Sequence, residues 1–207
     1  MDVEGTTTPI AFVHDTLFPY ARTRMPAVLT SADPAVQAAL ADVPGANRLA
    51  TLLAWMDADI KAGPLKTLQG LIWAAGYADG TLQGALYPDV APALHRLHGR
   101  GVRLAVYSSG SVAAQRLLFR YSNAGDLAPL FDGYFDTAMG QKRDPASYGA
   151  IAAALSVMPQ RVLFLSDVEA ELDAAGEAGC MTGQVVRTGD GTIPGNRHAT
   201  MADFAAL

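Results

Sequence analysis

Val102-Arg103-Leu104-Ala105-Val106-Tyr107-Ser108-Ser109-Gly110-Ser111 is a β-rich apolar run that breaks into hydroxyls and a glycine, and Val112 to Tyr121 behind it reads as a helix. The pattern returns further on. Val162-Leu163-Phe164-Leu165 runs into Ser166-Asp167 and a helical stretch from Val168 to Ala178, and Gly183 to Arg187 supplies one more β-rich run. Strand-like runs alternating with helical ones mark βαβ units, so the expected class is α/β, with a parallel sheet and right-handed crossovers.

Between Ile10 and about Leu86 the alternation disappears. Ala and Leu recur there at helical spacing, as in Leu49, Leu52, Leu53 and Met56. Pro34 and Pro64 lie where first helical turns start, and Pro44-Gly45 is a break, so three or four short helices are expected. The resulting division is an α/β core of residues 1–9 and 87–207 with a helical insert over 10–86. Such an insert would form a cap over the strand ends, where ligands bind in open α/β sheets.

With 207 residues, half of them hydrophobic, the chain can bury a full core and a small accessory unit. Fifteen Lys and Arg against 20 Asp and Glu give a net charge of −5, which offers no field to nucleic acid or an anionic membrane. Any anion must be held by local groups. A single cysteine, Cys180, excludes an internal disulfide and fits a reducing compartment, and its small neighbours suggest burial. No stretch has the length and apolarity of a membrane span or an export signal, so a cytoplasmic location and a monomer are expected.

The chain opens with Met1-Asp2-Val3-Glu4-Gly5-Thr6-Thr7-Thr8-Pro9, two carboxylates at i, i+2 followed by glycine and a run of hydroxyls. Asp2, Ser108, Lys142 and Asp167, in that order, resemble the four-part signature of the haloacid dehalogenase superfamily of phosphohydrolases. Within it, the opening segment, Leu65 to Gly70, Tyr107 to Val112, Gln115 to Phe119, Gly133 to Thr137 and Phe164 to Val168 are similar to the enolase-phosphatases of methionine salvage. Members of that family carry an apolar strand before the first Asp, and here only Met1 precedes it, so a truncated or mis-set start is expected.

The resemblance implies a Mg²⁺-dependent phosphomonoesterase. Asp2 would attack phosphorus to form an aspartyl-phosphate. Glu4 would protonate the leaving alcohol and then activate the hydrolytic water. Ser108 and Ser109 would hold phosphate oxygens, and Lys142 would neutralise charge. Mg²⁺ would be held by Asp2, the Glu4 main-chain carbonyl and Asp167. The implied substrate is 2,3-diketo-5-methylthiopentyl-1-phosphate, a small phosphorylated diketone that is enolised and then dephosphorylated to an acireductone. Glu4 and Lys66 both stand as candidates for the enolising base.

Structural readings compete at each position. Ser108 and Asp167 could cap helices, Lys142 could be a solvated loop residue, and Glu171 could be a partner one turn from Asp167. His95 and His98 fit an exposed helix face, His14 and His198 look isolated, and Trp55, Trp73 and Tyr77 suit core packing. Two other functions are open: a different phosphatase or phosphomutase of the same superfamily, and an inactive binding protein in which Asp2 is a mobile terminus.

Overall fold

A computed structural model describes residues 1–207, which divide into two compact units, Phe12–Gln83 and Met1–Ala11 with Gly84–Leu207. The first unit is helical. A π-helical turn over Phe12–Leu17 leads into α1 (Phe18–Val28), followed by α2 (Pro34–Ala41), α3 (Arg48–Asp57) and α4 (Gly63–Ala78). Pro34 and Pro64 occupy first turns, where a missing N–H costs nothing. Asp33 and Asn47 cap α2 and α3 by accepting from the N–H groups of Ala35 and Ala50, at 2.7 and 3.1 Å. Helix α4 packs against α1 and α2, and α1 against α3, around Ala21, Met25, Leu40, Leu52, Leu65 and Leu68. Of the helically spaced leucines, Leu52 is the one fully buried. The Trp73 indole is buried in this core and donates to the Leu17 carbonyl at 2.9 Å, where the π-turn leaves a free acceptor.

The second unit holds α5 (Val90–Gly99), β1 (Leu104–Tyr107), α6 (Val112–Arg120), β2 (Phe131–Phe135), α7 (Pro145–Ala154), β3 (Leu163–Ser166), α8 (Glu169–Glu177), β4 (Met181–Val185) and β5 (Ala199–Met201). All pairings are parallel: β1 with β2, and β3-β4-β5 in that order. Residues 1 and 2 join the two sheets. Met1 donates its nitrogen to Ala105 O and accepts from Tyr107 N, at 3.0 and 2.9 Å, the parallel pattern on β1; Asp2 N donates to Leu165 O of β3 at 2.8 Å. Asp2 is therefore buried and hydrogen-bonded, not a mobile terminus.

Strand β2 was hidden in the sequence because Asp132 and Gly133 interrupt its apolar run. The Asp132 carboxylate instead accepts from Leu104 N at 3.0 Å, at the point where the β1·β2 register slips. Behind the sheet, Tyr148 meets Tyr107 and Phe164 edge to face with ring centroids 5.5 and 4.9 Å apart, Tyr107 and Phe164 are tilted at 6.4 Å, and Cys180 is buried with them. No helix is long and apolar enough to cross a membrane.

Candidate active site

The segment after Asp2 turns back on itself. Val3 O accepts from the N–H groups of Thr6, Thr7 and Thr8, and Gly5 sits at φ +71°, a conformation an L side chain resists. Glycine is needed there for a second reason: a Cβ on Gly5 would lie 2.5 Å from Asp167 Oδ2. The loop is thus packed directly against the Asp167 carboxylate. Thr6 makes this contact specific, since its hydroxyl donates to Asp167 Oδ1 at 3.2 Å and accepts from Asp167 N at 3.0 Å. That clamp corrects the helix-cap reading of Asp167: α8 starts after Val168 without a side-chain cap, and Ser166 Oγ takes the Val168 N–H at 3.1 Å.

Lys142 is not a solvated loop residue. Its ammonium is nearly buried and lies 2.6 Å from Asp2 Oδ1 and 2.6 Å from Glu171 Oε2. Three bonds pin the main chain that carries it: Tyr107 Oη to Gly140 O, Ser147 Oγ to Gln141 O and Tyr148 Oη to Lys142 O, at 2.9, 2.8 and 2.7 Å. The two tyrosines are the same rings that fill the core behind the sheet, so packing fixes the lysine. Glu171 also accepts from Ser166 Oγ at 2.9 Å.

The electrostatics follow from crowding. Burial alone would push the Lys142 ammonium down, but Asp2 and Glu171 outweigh it and hold the pKa above its ordinary value. Burial, then the charge of Asp2, lifts Glu171 to about 7, against the pull of Lys142. Asp167 is also raised, by burial first and Asp2 second, with the Thr6 bond opposing. Asp2 and Glu171 thus share one ammonium, with the Asp167 carboxylate crowded against Asp2.

Ser108 leaves β1 immediately after Tyr107, and its buried hydroxyl accepts from Gly110 N at 3.2 Å. It is not the cap of α6; Ser111 is, through Ala114 N at 3.3 Å. Gln115 ties the turn down by donating to Gly110 O and Phe135 O, at 2.7 and 2.8 Å. Ser109 is half-buried in the same turn, and Glu4 is half-buried in the first loop, bridged to Thr8. Lys66 lies in α4, within the helical unit. His198 is not isolated: Nδ1 meets Thr182 Oγ1 at 2.8 Å and Nε2 meets Asp173 Oδ1 at 3.0 Å.

No group of three or more His, Cys, Asp or Glu side chains is arranged to hold a metal ion. The candidate donors are two carboxylates, Asp2 and Asp167, close enough for the charge of Asp2 to raise Asp167, and the first-loop main chain that follows Asp2. An all-oxygen set of that kind suits Mg²⁺, which keeps several waters, and suits no softer metal. The charge of Asp2 that raises Asp167 is the repulsion such a cation would relieve.

The haloacid dehalogenase-like hydrolase family matches residues 1–179. Enolase-phosphatase E1 of Gluconacetobacter diazotrophicus is 55% identical over 214 residues, covering 100% of this chain and 91% of that protein. The chain belongs to the enolase-phosphatase E1 family of haloacid dehalogenase-like hydrolases. The Methylococcus capsulatus member is 49% identical, with 100% and 95% covered. Among solved structures, the UTR4 protein of Saccharomyces cerevisiae superposes with a TM-score of 0.88 at 37% identity, covering 100% of this chain and 97% of the other. CbbY of Rhodobacter sphaeroides, at 23% identity and a TM-score of 0.61, shares the fold. Three contributors to the site had not been singled out from the sequence. Thr6 was hidden among three threonines, Tyr107 stood only as the residue ahead of Ser108, and nothing in the sequence pointed to Tyr148.

Proposed function

We propose that the chain enolises 2,3-diketo-5-methylthiopentyl-1-phosphate and removes its phosphate, giving 1,2-dihydroxy-3-keto-5-methylthiopentene. The observation that carries the phosphatase half is the Lys142 ammonium held between Asp2 and Glu171 at the strand ends. Asp2 is fixed by β-type backbone bonds, so its carboxylate is presented at a constant angle. Its free oxygen attacks phosphorus, the P–O bond to the alcohol breaks, and Glu4 donates the proton that the leaving oxygen takes up. Glu4, now ionised, removes a proton from water, which attacks the aspartyl-phosphate and releases inorganic phosphate with Asp2 restored. Lys142 holds the charge on Asp2 and on the phosphoryl oxygens through both displacements. Ser108 Oγ, which accepts from Gly110 N, keeps its own proton to donate to the same anion. Mg²⁺, held by Asp2, Asp167 and the Glu4 carbonyl, would neutralise the phosphate and align it with Asp2.

Loss of an α-proton beside a carbonyl, the enolase half, rests on the family names, with Glu4 and Lys66 as the candidate bases. The test is direct. Purified protein is mixed with the diketone phosphate and Mg²⁺, phosphate is measured colorimetrically, and the acireductone by its ultraviolet absorbance under anaerobic conditions. Both products should appear together. Hydrolysis of simple phosphate esters without turnover of the diketone phosphate would refute the substrate and leave only a phosphomonoesterase.

A further inference from the structure

One buried cation plays no part in the chemistry above. Arg187, just beyond β4, is 7% exposed and directs its whole guanidinium inward. Nε and Nη2 both donate to Thr6 O, at 3.2 and 3.0 Å. Nη1 and Nη2 form a two-pronged pair with Asp89, at 2.8 and 2.9 Å, and Nη1 reaches Ala202 O at 3.4 Å. The planar group lies 4.0 Å over the ring of Tyr87, and the main-chain N–H of Tyr87 donates to Thr7 O at 3.1 Å. Asp89 precedes α5 in the capping position yet makes no cap; its carboxylate is committed to Arg187 and to Phe204 N at 2.8 Å. Tyr87 Oη and Ile10 N both bond Asp190, closing the ring of contacts around the loop.

We propose that Arg187 is a positioning residue of the phosphatase centre: by gripping the Thr6 carbonyl in a fork, it aims the Thr6 hydroxyl at Asp167 and so sets the carboxylate that faces Asp2. The inference rests on the phosphatase reading for what Asp167 does, and on geometry alone for how it is held. Only a planar guanidinium can bond one carbonyl with two N–H groups while pairing a carboxylate with others, so lysine is not equivalent here. Outer-shell partners of a carboxylate ligand are typically worth about 10–100-fold in metal affinity or activity.

The experiment uses the full chain in three single variants, Arg187→Lys, Thr6→Val and Arg96→Met, and the double variant of the first two. Arg96 serves as the control, because it bonds the carbonyls of Phe204, Ala205 and Leu207 and none in the first loop. Mn²⁺ binding is titrated by electron paramagnetic resonance, and kcat and KM for phosphate release are measured at a temperature where melting curves show every variant folded. Arg187→Lys should weaken Mn²⁺ binding and lower kcat by roughly tenfold each, with KM little changed. Arg96→Met should keep both within about twofold despite a lower Tm. Since Arg187 acts through Thr6, the double variant should lose no more than Thr6→Val alone. Wild-type Mn²⁺ affinity in Arg187→Lys, multiplying losses in the double variant, or an equal loss in Arg96→Met would overturn the inference. Failure of the wild type to turn over any phosphate ester would strike the proposed function instead, and the Mn²⁺ titration would still decide the role of Arg187.

Discussion

Replacing Lys142 by methionine keeps the apolar stem and deletes the ammonium that lies 2.6 Å from both Asp2 and Glu171. Two buried carboxylates would then share the site with no cation between them. Stranding one partner of a buried ion pair costs about 3–5 kcal/mol when the charge has to remain. Glu171 can avoid part of that cost, because burial and Asp2 already raise its pKa to about 7 and loss of Lys142 raises it further. The folded protein binds this proton more tightly than the unfolded chain does. Stability is therefore full at low pH and lost as pH climbs from the unfolded value through the folded one. In the wild type that loss ends near pH 7; in the variant it continues above it.

Each further pH unit over which Glu171 stays protonated only in the folded state is worth about 1.4 kcal/mol, so the deficit of Lys142→Met should widen by about 2 kcal/mol between roughly pH 7 and 8.5. For a chain of this size that is about 4–8 °C in Tm. Circular dichroism melts of both proteins in metal-free buffer, at about pH 5.5, 7 and 8.5, measure it. Turnover with Mg²⁺ should fall by about 10²–10³, the usual loss when one preorganised charge stabiliser is removed. A Tm difference that stays flat across this range would refute the claim that one ammonium balances the two carboxylates.

Asp2→Asn should abolish phosphate release with an unchanged circular dichroism spectrum, since the amide keeps the shape and loses the nucleophile; a rate within about tenfold of wild type would remove Asp2 from that role. Chelation with EDTA should stop turnover and added Mg²⁺ should restore it, whereas full activity in EDTA would leave Asp167 without its assigned function. Ser108→Ala should reduce kcat by at least about tenfold while costing under about 1.5 kcal/mol in stability, because the hydroxyl makes one intramolecular bond, to Gly110 N. A melt that drops sharply with unchanged specific activity would return Ser108 to a structural role.

Ser108 and Asp167 were legible because each stands at the end of an apolar strand-like run, and Asp2 and Lys142 because they complete the ordered series that resembles the superfamily signature. Strands β1 and β3 were legible for the same reason: their apolar runs are continuous. Strand β2 was not, since Asp132 spends its carboxylate on the Leu104 N–H and so puts a polar residue where the pattern wants an apolar one. Asp167 showed the opposite failure. An acid ahead of a helix looks like a cap, but Thr6, 161 residues away in sequence, offers it a better partner. Arg187 and Asp89 were invisible on similar grounds, 98 residues apart and each unremarkable alone.

These long-range pairs bear on why the site has the charge it has. Asp2 comes from the start of the chain and Asp167 and Glu171 from the β3–α8 junction, four residues apart; Glu171 and Asp167 each accept a bond from a neutral hydroxyl, and Asp2 is tied through its main chain. The hydroxyl bonds hold the Glu171 and Asp167 carboxylates near Asp2, whose charge repels theirs. That repulsion is left to be met by Lys142, by a proton on Glu171, or by an added cation. A divalent cation held by Asp2 and Asp167 would lower the need for the proton, so proton and metal would compete for the same excess of negative charge. Loops backed by Thr6 and the Tyr107–Tyr148 pair would, on the proposed reading, turn this repulsion into affinity for a cation and a phosphoryl group, which is where phosphoryl transfer requires it.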